Sequence, residues 1–297
     1  RPSGRGNGGG PHQRGGPYPL RVGRRPEPAS SRIGVVTLLT HWEGEPTRVW
    51  EEVWGIPGFE AWSEIESTND RARGWARDGG RPWSVVQADA QSAGKGRAGR
   101  SWISEDGGGL WFSMIVPERR GALELMPLRT GLAVLDVLHG LYGLEDVDLK
   151  WPNDVWWQDR KLGGILCEAQ APYAVAGVGL NLSTPTGDEF EVRPVGLSEL
   201  MPGAISRARL LGALVQRIRS TLEQGGPRLS ANELERIAER DALRGRVVRC
   251  SIGPGGIARG VAPDGGLRVE TEEGVRSVRT GSVRPVGRIR NSGGAAI

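Results

Sequence analysis

The sequence predicts a mixed domain of strands and helices followed by a small β-barrel. Between residues 59 and 242, short apolar runs typical of strands are interspersed with segments in which apolar residues recur at helical spacing. From residue 245 the pattern changes to short strands at even spacing, separated by turns such as PDGG at 263–266. The 297 residues are enough to bury the core of one larger domain and to form a second, smaller one.

The first half of the larger domain predicts a mixture of strands and helices. Ser67 or Thr68 suits the N-cap of a helix that Gly79 and Gly80 would end. The run GLWFSMIV is continuously apolar, as expected of a strand that is buried on both faces. The predicted elements are strands at 59–64, 83–88 and 109–116 and helices at 69–78 and 123–141.

The second half predicts four successive strands and then two helices. A polar turn from Gln158 to Arg160 separates the second strand from the third, and a polar loop at 183–196 follows the fourth. Each of the two helices begins at a serine. The predicted elements are strands at 147–150, 155–157, 162–170 and 174–182 and helices at 206–222 and 230–242.

The positive net charge is concentrated at the N-terminus. The chain holds 39 Lys and Arg against 35 Asp and Glu, but residues 1–32 alone contain seven arginines and a single acid. These residues are also rich in Gly and Pro, and Gly and Pro interrupt residues 33–58 as well. We therefore predict largely disordered tails at 1–58 and 289–297, around a larger domain at 59–242 and a small one at 243–288.

Several classes of site are excluded by residue type and spacing. Cys167 and Cys250 lie far apart without metal-ligand spacing, and the three histidines make no cluster with them, so a zinc site is not expected. No Ser-His-Asp or Cys-His set and no paired carboxylates can be drawn. The absence of a long apolar run and the sparse cysteines predict a reduced, cytoplasmic protein without a membrane span. The residues that remain favour binding and polarising anions over attack by a protein nucleophile.

Lysine is the scarcest cation in the chain, and its positions indicate a site. Only Lys95, Lys150 and Lys161 are lysines, and all the other basic residues are arginines. Two of the three lie in the stretch LKWPNDVWWQDRKLGGILCE at 149–168, which predicts a strand, a turn and a second strand. Since lysine is a compact point charge and arginine a planar fork, a site that requires lysine does not accept arginine. Chance retention of three lysines is the alternative.

The third lysine lies in a Gly-rich loop, GKGRAGR at 94–100, that follows a predicted strand. Its glycines match the dinucleotide-binding fingerprint formally, but the acidic, Gly-rich residues after Trp102 do not resemble the helix that this fingerprint must open. The loop also lacks P-loop spacing. Exposed amides and three cations predict an anion-binding loop, and a solvated loop with incidental arginines is the alternative.

Three of the six asparagines fall where side chains can face a cleft. Asn69, Asn153 and Asn181 each lie at a strand end or helix start, and GVGLN at 177–181 allows a close backbone approach. Trp102, beside the cationic loop, could stack on a nucleotide base, although core packing is the commoner fate of a tryptophan. Together with Lys161 and the Gly-rich loop, these residues predict one shared site.

Four motifs resemble, in order and spacing, those of biotin protein ligases, also called biotin–[acetyl-CoA-carboxylase] ligases. They are Ser67-Thr68-Asn69, Gln91 with GKGRAGR, KWPNDVWWQDRKLGGIL and GVGLN. The resemblance runs from about residue 59 to about residue 286. It implies a class II aminoacyl-tRNA-synthetase-like α+β catalytic domain, shared with lipoate ligases, and a small C-terminal SH3-like β-barrel.

The resemblance also implies roles for individual residues. Lys161, Arg97 and Asp154 would be catalytic, with Asp154 near the Mg²⁺ that binds the ATP phosphates. At Lys95 the family more often has arginine, so this chain keeps the charge there and loses the bidentate fork. The biotin pocket would comprise Ser67, Thr68, Asn69, Gln91, Lys95, Gly96, Arg97, Ser113, Lys161 and Gly164. The nucleotide side would comprise Arg100, Trp102, Asn153 and Asn181.

The implied reaction needs cations and amides rather than a protein nucleophile. Biotin and ATP, with Mg²⁺, would give biotinyl-5′-AMP, and biotin would then pass to a lysine of the biotin carboxyl carrier protein of acetyl-CoA carboxylase or a related enzyme. We expect a monomer or weak homodimer without the N-terminal DNA-binding domain of some family members, and no specific nucleic acid or membrane partner. The alternatives are a lipoate–protein ligase, which KWPNDV and the terminal barrel disfavour, and a nucleic-acid-binding biotin-operon regulator.

Overall fold

The computed structural model describes residues 37–118, 123–187 and 190–287, all of which belong to one compact unit. The strands are β1 Leu38–Leu39, β2 His41–Trp42, β3 Glu45–Pro46, β4 Phe59–Ile65, β5 Val85–Gln91, β6 Gly109–Pro117, β7 Val147–Lys150, β8 Asp154–Trp157, β9 Arg160–Gln170, β10 Tyr173–Asn181, β11 Val247–Cys250, β12 Gly256–Val261, β13 Leu267–Thr271, β14 Gly274–Val278 and β15 Val283–Pro285. The helices are α1 Thr47–Trp54, α2 Thr68–Arg77, α3 Met126–Tyr142, α4 Leu197–Leu200, α5 Arg207–Gln224 and α6 Ala231–Glu239, with a 3₁₀ turn at Arg97–Gly99.

An eight-stranded sheet in the order β1-β4-β5-β6-β10-β9-β8-β7 forms the centre of the larger domain. The β4–β5 pair is parallel, because α2 crosses over between the two strands, and the other pairs in this sheet are antiparallel. The strands predicted from Phe59 onwards are therefore confirmed, with small shifts at their ends. Helices α3 and α5 pack against each other and against one face of the sheet, and α2 packs against the other.

Strand β6 is apolar throughout because both of its faces are covered. Leu110 and Phe112 belong to the large core that includes α3 and α5. Ile115 instead packs in a smaller cluster with Ala72 and Ala76 of α2. Side chains alternate between the faces of a strand, so Ser113 lies on the α2 side, where it is fully buried. This position beneath the start of α2 is what brings Ser113 to the candidate site.

The small C-terminal sheet has the order β14-β13-β12-β11-β15, and its strand pairs are antiparallel. The PDGG turn lies between β12 and β13, as its residues predict. This turn contacts the larger domain, because Trp151 Nε1 donates to the carbonyl of Gly265 at 2.8 Å and Leu229 N donates to that of Pro263 at 2.8 Å. The predicted combination of an α+β domain with a small β-domain is confirmed.

The predicted disordered tail at 1–58 is wrong for residues 37–58. Trp42 and Trp54 are 3% and 5% exposed, and they pack edge-to-face against each other and against Phe59. The glycines that obscured the pattern end structural elements, since Gly44 lies in the β2–β3 turn with φ 85° and Gly55 caps α1 with φ 59°. Residues 1–36, and the predicted tail at 289–297, lie outside the described residues.

Two helices differ from their predicted limits. The helix predicted at 230–242 ends at Glu239, because the Arg240 carbonyl accepts a hydrogen bond from Leu149 N and Ala242 N donates to the Leu149 carbonyl. Helix α3 begins at Met126 rather than at residue 123. Within the ranges that the structure describes, none of the helices combines the length and apolar character needed to cross a membrane.

Candidate active site

One cavity of about 1440 Å³ contains nearly all the predicted site residues. Its walls come from the start of α2, the Gly-rich loop, the β8–β9 hairpin, the loop at 183–196 and β15 of the small sheet. Ser113 lies behind the wall rather than on it. The predicted residues that line the cavity are Ser67, Thr68, Asn69, Gln91, Lys95, Gly96, Arg97, Arg100, Trp102, Asn153, Asp154, Lys161, Gly164 and Asn181.

Two lysines hold opposite oxygens of Asp154. Lys161 Nζ lies 2.9 Å from Oδ1, and Lys150 Nζ lies 3.3 Å from Oδ2. The strand register produces this arrangement, since β7–β8 pairing places Lys150 opposite Asp154 and β8–β9 pairing places Lys161 opposite Trp156. Burial would raise the pKa of Asp154, but Lys161 and Lys150 together outweigh burial and hold that pKa below its usual value.

Lys150 belongs to the cavity although it was assigned no role from sequence. Only 6% of this residue is exposed, and its ammonium lies 5.5 Å from the ring centroid of Trp156. Burial lowers the pKa of Lys150, although the neighbouring Asp154 opposes that shift. The scarcity of lysine was the sequence signal that could have identified it.

Lys161 is held by its backbone as well as by its side chain. Its N–H donates to the Arg193 carbonyl at 2.8 Å, and its own carbonyl accepts from Val195 N at 3.0 Å. Asn181 donates through Nδ2 to the carbonyls of Lys161 and Val195, each at 3.2 Å. Asn181 therefore joins β9 to the loop at 183–196, and its predicted contact with a nucleotide stays a prediction.

Trp102 occupies the space that two glycines leave open. A Cβ added at Gly179 would lie 2.7 Å from its indole, and one added at Gly164 would lie 3.0 Å away. The ring centroid is 5.1 Å from Lys161 Nζ, within the range of a cation–π contact. The close approach predicted at GVGLN is thus made to Trp102, and at Gly177 to Asn69, whose Oδ1 would lie 2.0 Å from an added Cβ.

The Gly-rich loop folds back as a tight turn. Gly96 N donates to the Arg100 carbonyl at 2.7 Å and Trp102 N to the Gly94 carbonyl at 2.8 Å. The loop contains the 3₁₀ turn at Arg97–Gly99, and the next element is strand β6 rather than the helix that a dinucleotide-binding fingerprint must open. Arg97 lies inward, donating to Asn153 Oδ1 at 3.2 Å, and burial lowers its pKa.

The outer cations of this loop are paired with acids at the cavity rim. Lys95 Nζ lies 2.6 Å from Asp70 Oδ2, and Arg100 lies 3.0 Å from Glu191. Glu191 also pairs with Arg284 of the small sheet. The two partners of the loop cations, Asp70 and Glu191, were not predicted, because each is distant from the loop in sequence.

Buried polar side chains form a network at the opposite end of the cavity. Thr68 N donates to Gln91 Oε1 at 2.8 Å, and Gln91 Nε2 donates to Ser104 Oγ at 2.7 Å. Ser113 Oγ lies 2.8 Å from Thr68 Oγ1 and 2.6 Å from Asn69 Oδ1. The helix cap puts Thr68 and Asn69 here, since Ser67 Oγ accepts from Asp70 N at 3.4 Å. This network can recognise a neutral polar group, and the cations beyond it can bind anions.

The carboxylates present fit a magnesium ion that is held mainly by phosphate oxygens. In the parts of the chain that the structure describes, no group of three or more His, Cys, Asp or Glu could hold a metal. Asp154 has both oxygens engaged by lysines, so direct ligation would displace one ammonium. Mg²⁺ commonly keeps several waters and binds through one or two carboxylates plus substrate phosphates, an arrangement that Asp154 could support.

Comparison with known proteins identifies this combination of fold and site. Residues 64–182 match the biotin/lipoate A/B protein ligase family. The bifunctional ligase/repressor BirA of Escherichia coli is 33% identical over 196 residues, which are 62% of this chain and 61% of that protein. The biotin–[acetyl-CoA-carboxylase] ligase of Mycobacterium tuberculosis is 33% identical over 195 residues, which are 62% of this chain and 71% of that protein.

A solved structure agrees with these sequence matches. The biotin protein ligase of Aquifex aeolicus in complex with biotin and ATP superposes with a TM-score of 0.70 and 28% identity, covering 78% of this chain and all of that one. The α+β fold with this cation-lined cavity therefore agrees with membership of the biotin/lipoate ligase class of proteins. The chain belongs to the biotin/lipoate A/B protein ligase family. The Mycobacterium tuberculosis and Aquifex aeolicus proteins are named as biotin ligases, and the Escherichia coli protein as the bifunctional ligase/repressor BirA. It spans 61% of the length of the Escherichia coli relative.

Proposed function

We propose that this protein is an ATP-dependent biotin protein ligase, which forms biotinyl-5′-AMP and transfers biotin to a lysine of a biotin carboxyl carrier protein. The observation that carries the proposal is the pairing of Lys161 and Lys150 with Asp154 inside a cavity that also has a neutral polar end. A ligand with a carboxylate at one end and a neutral polar group at the other matches both the lysines and the neutral polar end of the cavity. The Aquifex aeolicus relative, which binds biotin and ATP, supports the same substrates here.

In the first step a carboxylate oxygen of biotin attacks the α-phosphorus of ATP. The new O–P bond replaces the bond to the bridging oxygen of the β-phosphate, and pyrophosphate leaves. Two anions must approach each other, so the protein's contribution is to neutralise their repulsion. Lys161 would leave Asp154 Oδ1 for the biotin carboxylate, and Arg97 would hold the phosphoryl oxygens from beside Asn153.

Bound Mg²⁺ would supply further neutralisation of the ATP phosphates. Asp154, which lies between Lys161 and Lys150, is the residue that would hold that ion. Lys150 would keep the carboxylate ionised and oriented when Lys161 turns to the substrate. Trp102 and Arg100 would bind the nucleotide from the loop side, together with Asn153 and Asn181.

In the second step the neutral amine of an acceptor lysine attacks the carbonyl carbon of the mixed anhydride. The amide bond forms, the bond between that carbon and the phosphate oxygen breaks, AMP leaves, and the nitrogen loses a proton. The Gly-rich loop, with its neighbour Trp102, and the loop at 183–196 would cover the adenylate and keep water from hydrolysing it. The acceptor would be the carrier domain of acetyl-CoA carboxylase or a related carboxylase, as the name of the Mycobacterium tuberculosis relative suggests.

The setting and assembly of the protein are part of the same proposal. Free Cys167 and Cys250 suit a reduced cytoplasm. We propose a monomer or weak homodimer that acts without specific nucleic acid or membrane contacts. Specific duplex binding that persists at physiological salt would contradict the proposal on nucleic acid.

The deciding experiment offers the purified protein ATP, Mg²⁺ and a biotin carrier or lipoyl carrier domain, with either biotin or lipoate. We expect biotin transfer to the biotin carrier domain, detected by mass, and pyrophosphate release that depends on biotin. Transfer of lipoate with no transfer of biotin would overturn the assignment in favour of a lipoate–protein ligase.

A further inference from the structure

A chain of hydrogen bonds connects the neutral end of the cavity to a carboxylate outside it. Asn69 Nδ2 donates to Glu168 Oε2 at 2.8 Å and to the Leu166 carbonyl at 3.2 Å. Asn69 is only 4% exposed, whereas 28% of the Glu168 side chain is exposed behind the cavity wall. Glu168 was assigned no role from sequence.

The two partners of Asn69 Nδ2 determine how this amide is oriented. A carbonyl oxygen and an ionised carboxylate can only accept hydrogen bonds, so the NH₂ group of Asn69 must face Leu166 and Glu168. Its Oδ1 then faces Ser113, whose Oγ lies 2.6 Å away. Ser113 has a single hydroxyl hydrogen, and this geometry requires it to point at Asn69.

The orientation propagates one residue further, to the cavity itself. With its hydrogen committed to Asn69, Ser113 can only accept from Thr68, whose Oγ1 lies 2.8 Å away. The other neighbour of the Thr68 hydroxyl is Gln91 Oε1, at 3.1 Å. This oxygen is also an acceptor, and it already accepts a hydrogen bond from the backbone N–H of Thr68. Thr68 therefore gives its hydrogen to protein and presents lone pairs to the cavity.

We propose that Glu168 is a positioning residue that sets the hydrogen-bond polarity of the biotin pocket through Asn69 and Ser113, so that Thr68 accepts a hydrogen bond from a ligand N–H. This inference rests on the proposed function. A cyclic urea such as that of biotin has N–H donors, and the dithiolane ring of lipoate has none. If the side-chain amide of Asn69 were rotated by 180°, its NH₂ group would donate to Ser113 and Ser113 would donate to Thr68. Thr68 could then donate its own hydrogen to a ligand, and its preference for a ligand N–H would be lost.

The polarity depends on Glu168 rather than on its ion pair. Arg73 approaches the other oxygen of Glu168 at 3.4 Å, whereas Asn69 donates to Oε2, and Arg73 is not among the residues that line the cavity. Arg73→Gln should therefore leave biotin affinity near that of wild type. Glu168→Gln weakens the orientation of Asn69, because a glutamine can donate as well as accept and only the longer bond to the Leu166 carbonyl then favours the native amide. Glu168→Leu removes this acceptor altogether.

The test is calorimetric titration of biotin, desthiobiotin and ATP into the full chain and these three variants. We expect the Kd of both cyclic ureas to rise about tenfold in Glu168→Gln and further in Glu168→Leu, with ATP affinity unchanged. In turnover, the KM for biotin should rise while kcat at saturating biotin is retained. A purely structural role would instead weaken ATP and biotin binding together.

Three outcomes separate the claims. If wild type binds no biotin, the proposed function fails before the variants are compared. If wild type binds biotin and folded Glu168→Gln and Glu168→Leu bind it within about twofold of wild type, the role of Glu168 is wrong and the function stands. If Glu168→Leu does not fold, Glu168→Gln alone decides, because it is isosteric with the native residue.

Discussion

Lys161 Nζ lies 2.9 Å from Asp154 Oδ1, so the ammonium that would meet the substrate carboxylate is paired with a protein carboxylate in the free protein. The second oxygen of Asp154 is paired with Lys150 and would stay so if Lys161 turned to the substrate. Asp154 can thus release Lys161 without becoming an unpaired buried charge, which would be strongly destabilising. The predictions that follow test this centre, the packing around it and the folded extent of the chain.

Lys161→Ala should lose most adenylate formation while the protein remains folded. Removing a cation at the site of developing charge costs on the order of 100-fold in rate or more, so biotin-dependent pyrophosphate release should fall by at least that factor. Thermal unfolding measures whether the fold persists. Arg276→Ala, which removes an exposed cation of the small sheet, is the matched control and should retain activity. Near-normal pyrophosphate release by Lys161→Ala would refute the assigned role.

Alanine substitutions at Gly177 and Gly179 should impair different ends of the cavity. A Cβ at Gly177 would collide with Asn69 and one at Gly179 with Trp102, each costing about 1–3 kcal/mol of stability through overpacking. We expect Gly177→Ala to weaken biotin binding more than ATP binding, and Gly179→Ala to do the reverse. Calorimetric titration of each ligand distinguishes them.

The control for these two variants is Gly140→Ala, in α3. An added Cβ there meets no atom within 4 Å, and alanine favours a helix, so stability should rise by about 0.5–1 kcal/mol with both ligand affinities retained. Equal losses of both ligands in Gly177→Ala and Gly179→Ala would contradict the division of the cavity.

Trp54→Ala should destabilise the whole larger domain by about 3–5 kcal/mol, because a large buried indole leaves a cavity. Urea-induced unfolding monitored by circular dichroism measures this loss. The control is Val53, the residue before Trp54, which is 65% exposed. Val53→Ala should change stability by less than about 0.5 kcal/mol. If Trp54→Ala changed stability as little as Val53→Ala, residues 37–58 would not belong to the folded unit.

Asp241 should make stability fall as the pH rises through mild acid. Burial raises the pKa of this carboxyl to about 6, and its Oδ2 has no hydrogen-bond partner among the residues that the structure describes. A folded-state pKa above the unfolded value favours folding below about pH 4, and this contribution is lost as the pH rises towards about 6. Asp241→Asn should remove that dependence and raise stability at pH 7 by on the order of 1 kcal/mol.

The measurement is the unfolding temperature of wild type and Asp241→Asn between pH 4 and pH 7. The two curves should diverge as the pH rises, with the variant higher at neutral pH. Asp106→Asn, at an exposed turn, is the control and should follow wild type. Parallel curves for wild type and Asp241→Asn would show that the carboxyl is not perturbed in this way.

Local patterns predicted most of the secondary structure from Phe59 onwards, because strand and helix periodicity and capping residues act over a few positions. Residues 37–58 were mispredicted because their tryptophans are buried against one another, against Phe59 and near α5, and α5 is remote in sequence. The predicted site residues converge because their motifs mark turns and strand ends around one sheet. Lys150 was missed because the pairing of β7 with β8 places it beside Asp154, and Glu168 because the packing of α2 on the sheet brings Asn69 to it.

The sequence by itself determined the family, the order of the elements and the choice of lysine at three positions, since motif spacing and residue type are written directly in the chain. Only the tertiary structure decided that Lys150 and Lys161 share Asp154, that Trp102 fills the space at Gly164 and Gly179, and that Glu168 orients Asn69. These relationships depend on the register of antiparallel strands and on packing between remote segments. A shift of one residue in that register would turn each side chain to the opposite face of the sheet.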